Sequence, residues 1–152
     1  MRNDPCSHGL WEASAPAAPQ TTPLTERISV DVVVVGAGFT GLSAALHLAQ
    51  GGASVALLEA GDIGFGGSGR NVGLVNAGMW VMPEALPGEL GGIYGARLLK
   101  LLGAGPSLVY DIVERYGIDC EPVRNGTLHC AVGAAGLGNI TERCKQLSLI
   151  HI

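Results

Sequence analysis

"VVVVGAGFTGLSAA" runs from Val32 to Ala45, and its reading decides the fold. Valines without polar alternation predict a strand buried on both faces, extending from Ile28 to Val35. Gly41 to Gln50 then carries helical spacing, with Leu42, Ala45, Leu46 and Ala49 on one stripe. Gly51-Gly52 ends that helix, because glycine tolerates the left-handed geometry of a helix stop. "SVALLEA", Ser54 to Ala60, reads as a second strand, so residues 30–60 form one βαβ unit.

Between the first strand and the helix stands Gly36-Ala37-Gly38-Phe39-Thr40-Gly41, a GxGxxG turn. The string alone is weak in a glycine-rich chain, and its position gives it meaning: it follows a strand, opens a helix, and precedes an acid at Glu59. Each part has a physical task. Gly36 permits the tight turn, Gly38 lets a pyrophosphate approach the main chain, and Gly41 lets the helix lie close on the strands. Free N–H groups and the helix dipole favour the phosphates. Glu59, at the end of the second strand, suits the hydroxyls of an unphosphorylated ribose, which fits NAD or FAD and disfavours NADP.

The next loop separates those two. "GDIGFGGSGRNVG", Gly61 to Gly73, holds six glycines where an NAD-type Rossmann unit enters another crossover helix. Its exposed amides suit a long polar cofactor. Arg70 can neutralise phosphate or hydrogen-bond a flavin carbonyl, and Ser68 and Asn71 can add neutral hydrogen bonds. FAD is therefore favoured. An NAD-dependent enzyme and a non-catalytic dinucleotide-binding module stay open as alternatives.

Composition sets outer bounds. At 152 residues, 47% hydrophobic, 14% charged and with 24 glycines, the chain is long enough for a core and suits an α/β domain. A net charge of −4 argues against a nucleic-acid surface. The four cysteines, at 6, 120, 130 and 144, form no CxxC pair, so neither a zinc site nor a disulfide framework is expected, and a cytoplasmic location is the default. The apolar window over 32–49 holds glycines and His47 and reads as strand–turn–helix, so no membrane span is expected.

Residues 1–25, with prolines at 5, 16, 19 and 23, read as an extended arm that Trp11 could anchor. Ile93–Leu102 and Pro106–Tyr116 read as two helices, the second with proline in its first turn. Asn125-Gly126 predicts a two-residue hairpin with Val123, Leu128, Cys130 and Val132 on its buried face and Cys120 on the other, so no Cys120–Cys130 disulfide. His47, His129 and the cysteines read as packing or surface residues, and Met79, Trp80 and Met82 as apolar packing.

"DVVVVGAGFTGLSAALHLAQGGASVALLEAGDIGFGGSGRN" resembles the N-terminal segment of FAD-dependent amine and amino-acid oxidoreductases related to D-amino-acid oxidase, and within them the γ-glutamylputrescine oxidase group. "GIDCEPVRNGTLHCA" is similar to a segment further along in that group. The resemblance implies a Rossmann-like FAD-binding domain of the D-amino-acid oxidase type over 26–146, incomplete, with the start of a substrate domain. It implies that Gly36, Gly38, Phe39, Thr40 and Gly41 line the FAD pyrophosphate and that Glu59, with Ala60, holds the adenosine ribose. Ser68, Gly69, Arg70 and Asn71 would run from the pyrophosphate toward the flavin. Some relatives attach flavin through a histidine in this loop; none stands here, so non-covalent FAD is expected. The implied reaction oxidises the C–N bond of an amine or amino acid, with hydride passing to the flavin, hydrolysis of the imine, and reoxidation by oxygen or another acceptor. Catalytic residues are expected beyond residue 146, and no metal is expected. "LSLIHI", 147–152, reads as a non-native tail resembling translated adapter sequence, so the chain is expected to be an N-terminal fragment that binds FAD poorly and turns over no amine.

Overall fold

The structure is a computed structural model that describes residues 9–77, 81–126 and 128–149. Two compact units divide the chain, residues 1–72 and 73–152. Cys6, Met79, Trp80, Thr127 and the last three residues lie outside the described residues, as does the side chain of Trp11.

The first unit contains the expected βαβ element. Strand β1 (Val32–Val35), helix α2 (Phe39–Gln50) and strand β2 (Val55–Leu58) follow a short helix α1 (Leu10–Ser14). The two strands pair in parallel, with Val32 opposite Val55 and Val35 opposite Leu58. A clasp fixes that register at its start: the Asp31 carboxylate accepts from the Ser54 N–H (2.8 Å) and hydroxyl (2.7 Å), while the Asp31 N–H bonds the same hydroxyl at 2.9 Å. Those bonds from Ser54, side chain first and then main chain, hold the Asp31 carboxyl below the usual carboxylate range.

The strand buried on both faces is not what forms. β1 alternates, with Val33 53% and Val35 82% exposed. A parallel sheet buries both faces only when crossover helices cover each of them. Here α2 lies over the Val32 and Val34 side, so the odd-numbered valines face outward. Among the described residues the buried apolar side chains are Ala37, Pro83 and Leu86, so the core is smaller than composition suggests. The apolar stripe of α2 holds in part: Ala45 and Leu46 are half-buried, with Gly41, Ser43 and Ala44 beside them, whereas Leu42 and Ala49 are exposed. The helix stops as expected, with Gly52 at φ +90°.

The arm is not wholly extended, since Leu10–Ser14 closes a helical turn with Ala13 N–H donating to Gly9 O at 3.1 Å.

In the second unit the two expected helices merge into α3 (Ala85–Tyr116), interrupted at Gly91, where φ is +76° and ψ +156°. Pro87 falls in the first turn, where a missing N–H costs nothing. Pro106 lies inside the helix rather than at its start. A proline ring clashes with the Cβ of the preceding residue in helical geometry, and that residue is Gly105, which has none. Helix α4 (Gly133–Leu149) covers a stretch to which the sequence reading assigns no element. Its Gln146, 7% exposed, accepts from the Glu84 N–H at 3.3 Å and so satisfies a donor at the start of α3.

Among the described residues no hairpin forms around Asn125-Gly126. Gly126 does turn, at φ +82°, but no strand flanks it among the described residues, and Val123, Leu128, Cys130 and Val132 are exposed. The Tyr110 hydroxyl donates to Val123 O at 2.9 Å, and Arg124 stacks on the Tyr110 ring at 4.4 Å. These tie 123–124 to α3, and an isolated two-stranded hairpin has too little packing to compete. Cys120 and Cys130 are free, together with Cys144. Among the described residues no helix is long and apolar enough to cross a membrane, and no group of three His, Cys, Asp or Glu side chains is placed to hold a metal.

Candidate dinucleotide site

The site begins where β1 ends. Gly36 turns the chain at φ +100°, a conformation that excludes most side chains, and its N–H donates to Leu58 O at 2.7 Å. The turn is thus hung from the end of β2. Gly41, one helical turn later, sits against it: a Cβ there would lie 1.8 Å from Gly36 O and 3.4 Å from Val34 Cγ1. Only a hydrogen fits. Ala37 between them is 1% exposed.

Glu59 and the second glycine loop close on this turn. The Glu59 carboxylate accepts from the Ala37 N–H at 2.7 Å and the Gly61 N–H at 3.0 Å. Those bonds, Ala37 first, with a smaller pull from Ala60, hold the carboxyl below its usual range against a weak opposing effect of burial. A carboxylate offers about four lone-pair directions, so acceptor capacity is left for ribose hydroxyls. Gly64 N–H donates to Ala37 O at 2.9 Å, and Gly69 N–H to Gly64 O at 2.8 Å. A short 3-10 turn, Gly67–Arg70, then brings Ser68 to the start of α2, where its hydroxyl accepts from the Phe39 N–H at 3.0 Å.

A helix start leaves its first N–H groups without intrahelical acceptors and carries partial positive charge. In α2 these groups belong to Phe39, Thr40 and Gly41. Gly38 is the residue before the helix, and a Cβ on it would meet the Ser68 Oγ at 2.8 Å, so its missing side chain makes room for the hydroxyl that caps the Phe39 N–H. Gly38→Ala is therefore expected to fold, since Ser68 can rotate away, while affinity for a dinucleotide falls by roughly tenfold or more, about 1.4 kcal/mol. A thermal melt and a calorimetric titration check the two halves of that statement.

The expected site residues Gly36, Gly38, Phe39, Thr40, Gly41, Glu59, Ala60, Ser68, Gly69, Arg70 and Asn71 all belong to the first unit. Hydrogen bonds link the turn, the acid and Ser68 around the α2 start. The Asn71 side chain bonds Ser68 O, which braces the 3-10 turn. Arg70 lies over the Phe65 ring, its guanidinium carbon 4.8 Å from the centroid. Sequence reasoning passed over Phe65, Gly64 and Ala37. An aromatic inside a glycine run was the available signal for the first. His47 is exposed at the far end of α2, where its Nδ1 lies 3.2 Å from Gln50 Oε1.

A glycine turn from a parallel strand into a helix, answered by an acid at the end of the next strand, defines a Rossmann-like dinucleotide-binding unit. Comparison with known proteins makes this specific. The chain belongs to the DAO family of FAD-dependent oxidoreductases, whose pattern matches residues 31–151. It is 41% identical over 128 residues to gamma-glutamylputrescine oxidoreductase of Escherichia coli (strain K12), across 79% of this chain and 28% of that protein. Probable oxidoreductase OrdL of Rhizobium meliloti (strain 1021) is 33% identical over 114 residues, across 75% and 27%. Glycerol-3-phosphate dehydrogenase of Mycobacterium leprae (strain TN) is 34% identical over 108 residues, across 69% and 18%. The matched part is less than a third of each relative's length. No solved structure matches the chain.

The residues present fit FAD, the cofactor the family implies. The first N–H groups of α2 have no intrahelical acceptor, a rotatable hydroxyl stands before Gly38, and the Glu59 carboxylate lies beside the turn.

Proposed function

We propose that this chain carries the dinucleotide-docking part of an FAD-dependent oxidoreductase that oxidises the C–N bond of an amine or amino acid, with FAD held non-covalently. The observation that carries the reading is the closure of two glycine loops on one helix start: Glu59 bonds Ala37 and Gly61, and Gly64 bonds Ala37. The N–H groups of Thr40 and Gly41 would bind the pyrophosphate, joined by that of Phe39 once Ser68 releases it. Glu59 and Ala60 would orient the adenosine ribose. Ser68, Gly69, Arg70 and Asn71 would run on toward the flavin. When bound, FAD supplies the hydride acceptor for the carbon bearing the amine, and oxygen or another acceptor regenerates it.

The amine substrate is supported by the name of the 41% identical relative, gamma-glutamylputrescine oxidoreductase. The similarity to glycerol-3-phosphate dehydrogenases as well supports the reading that this segment contributes the cofactor, with substrate choice made elsewhere. Non-covalent attachment is supported by the loop 59–71, which contains no histidine or cysteine.

The test is made on the full-length protein that contains this chain. Purified protein is expected to show flavin absorbance, to release that flavin on acid precipitation, and to yield peroxide or reduced acceptor with one class within a panel of amines and amino acids. Binding of nicotinamide dinucleotides alone would overturn the cofactor, and flavin retained in the precipitate would overturn non-covalent attachment.

A further inference from the structure

We propose that Phe65 is a positioning residue for Arg70, fixing the guanidinium beside the loop that caps α2; this rests on the reading that Arg70 faces the dinucleotide. Three observations converge. The Arg70 guanidinium lies over the Phe65 ring at 4.8 Å. The same ring lies beside Gly61, where an added Cβ would stand in ordinary van der Waals contact at 3.6 Å from Phe65 Cγ, so the ring rests against the start of the same loop. The backbone beneath is pinned, with Phe65 N–H bonded to Asp62 O at 3.0 Å and Gly64 N–H to Ala37 O at 2.9 Å.

Phe65 is 41% exposed, too open for a hydrophobic anchor and oddly placed among Gly61, Gly64, Gly66, Gly67 and Gly69. A platform explains it. Arginine has large rotamer freedom, and a glycine run gives its side chain no wall to rest on. Stacking engages the guanidinium through its face and leaves the in-plane N–H donors for a phosphate oxygen or a ring carbonyl. Because the ring is tied through Gly64 to Ala37, the cation is held in the frame of the turn.

Calorimetric titration of the full-length protein that contains this chain, stripped of flavin, with FAD at low ionic strength tests this as a double-mutant cycle. Arg70→Ala is expected to weaken binding. Phe65→Leu is expected to weaken it by about two- to fivefold, the range of an exposed cation–π contact. Phe65→Tyr keeps the ring and is expected to bind as the unaltered chain does. In the Arg70→Ala background Phe65→Leu is expected to add no loss. An equal loss in that background assigns Phe65 to packing on Gly61 and overturns the proposal. Arg70→Ala weakening binding while Phe65→Leu does not also overturns it, and leaves the reading of Arg70 standing. Arg70→Ala without effect overturns both. Should Phe65→Leu lose its fold by circular dichroism, Phe65→Met takes its place, filling the space beside Gly61 without a π face.

Discussion

Gly41→Ala is expected to lower the melting temperature of the first unit by more than about 10 °C, and to abolish dinucleotide binding. The methyl group would stand 1.8 Å from Gly36 O, and backbone on both sides resists movement. Gly36 is held to β2 through Leu58, and Gly41 lies in the first turn of α2. Relief requires lifting α2 from β1, which strips the shelter of Val34 and Ala37. Overpacking of this kind costs about 3 kcal/mol, and a unit of this size loses several degrees for each kcal/mol. Circular dichroism melts of the Gly41→Ala and Gly38→Ala chains make the comparison, because at Gly38 the obstacle is only a rotatable hydroxyl. Equal and small shifts for both would show that helix and turn are not in contact.

Glu59→Gln is expected to weaken FAD binding roughly tenfold or more, because it removes a charged acceptor shared by two backbone donors. Part of the loss falls on the ribose and part on the turn, since the carboxylate joins Ala37 to Gly61 before any ligand arrives. The pH dependence follows from the sign of the shift. The folded carboxyl titrates below the ordinary glutamate value, so its contribution is complete above that value and is lost as pH falls through the lower folded one. The amide shifts of Ala37 and Gly61 are expected to titrate together in that acidic window and to be flat in Glu59→Gln. Titration at or above the usual glutamate value would show that the clamp is not formed.

The part of the fold legible in the sequence is the part whose signals are local. Val32–Val35, the glycine turn, the helix to Gln50 and the return through Val55–Leu58 each follow from neighbours in the chain. The three glycines could be assigned separate tasks, and the structure gives two of them visible geometry: Gly36 by its φ and Gly41 by its approach to Gly36 O. Readings that depend on distant partners fared worse. Asn125-Gly126 carries a strong hairpin signal, yet Tyr110 and Arg124 draw the neighbouring chain onto α3. Proline at 106 signals a helix start on its own, and only the Gly105 before it lets the helix run through. The glycines at 133, 136 and 138 lower helix propensity and hid α4. Burial of β1 on both faces follows from a valine run without polar alternation, a pattern that does not register whether a helix covers each face.

At the site the same division holds. Glu59 was found by spacing, but its bonds to Ala37 and Gly61 join two loops and could not be read from either. Ser68 was placed near phosphate, whereas its role as acceptor for the first N–H of α2 depends on the loop folding back across 29 residues of sequence. Phe65 had no periodic pattern to mark it.

The most direct test of the central claim is an amide-resolved NMR titration of the chain with FAD, with NAD as the comparison, carried to ligand concentrations high enough for the weak binding expected of the chain alone. The account predicts saturable shifts confined to 36–41, 59–61 and 64–71, larger for FAD than for NAD. Shifts confined to the second unit, a stronger response to NAD, or no response at the Gly36–Gly41 turn would contradict it.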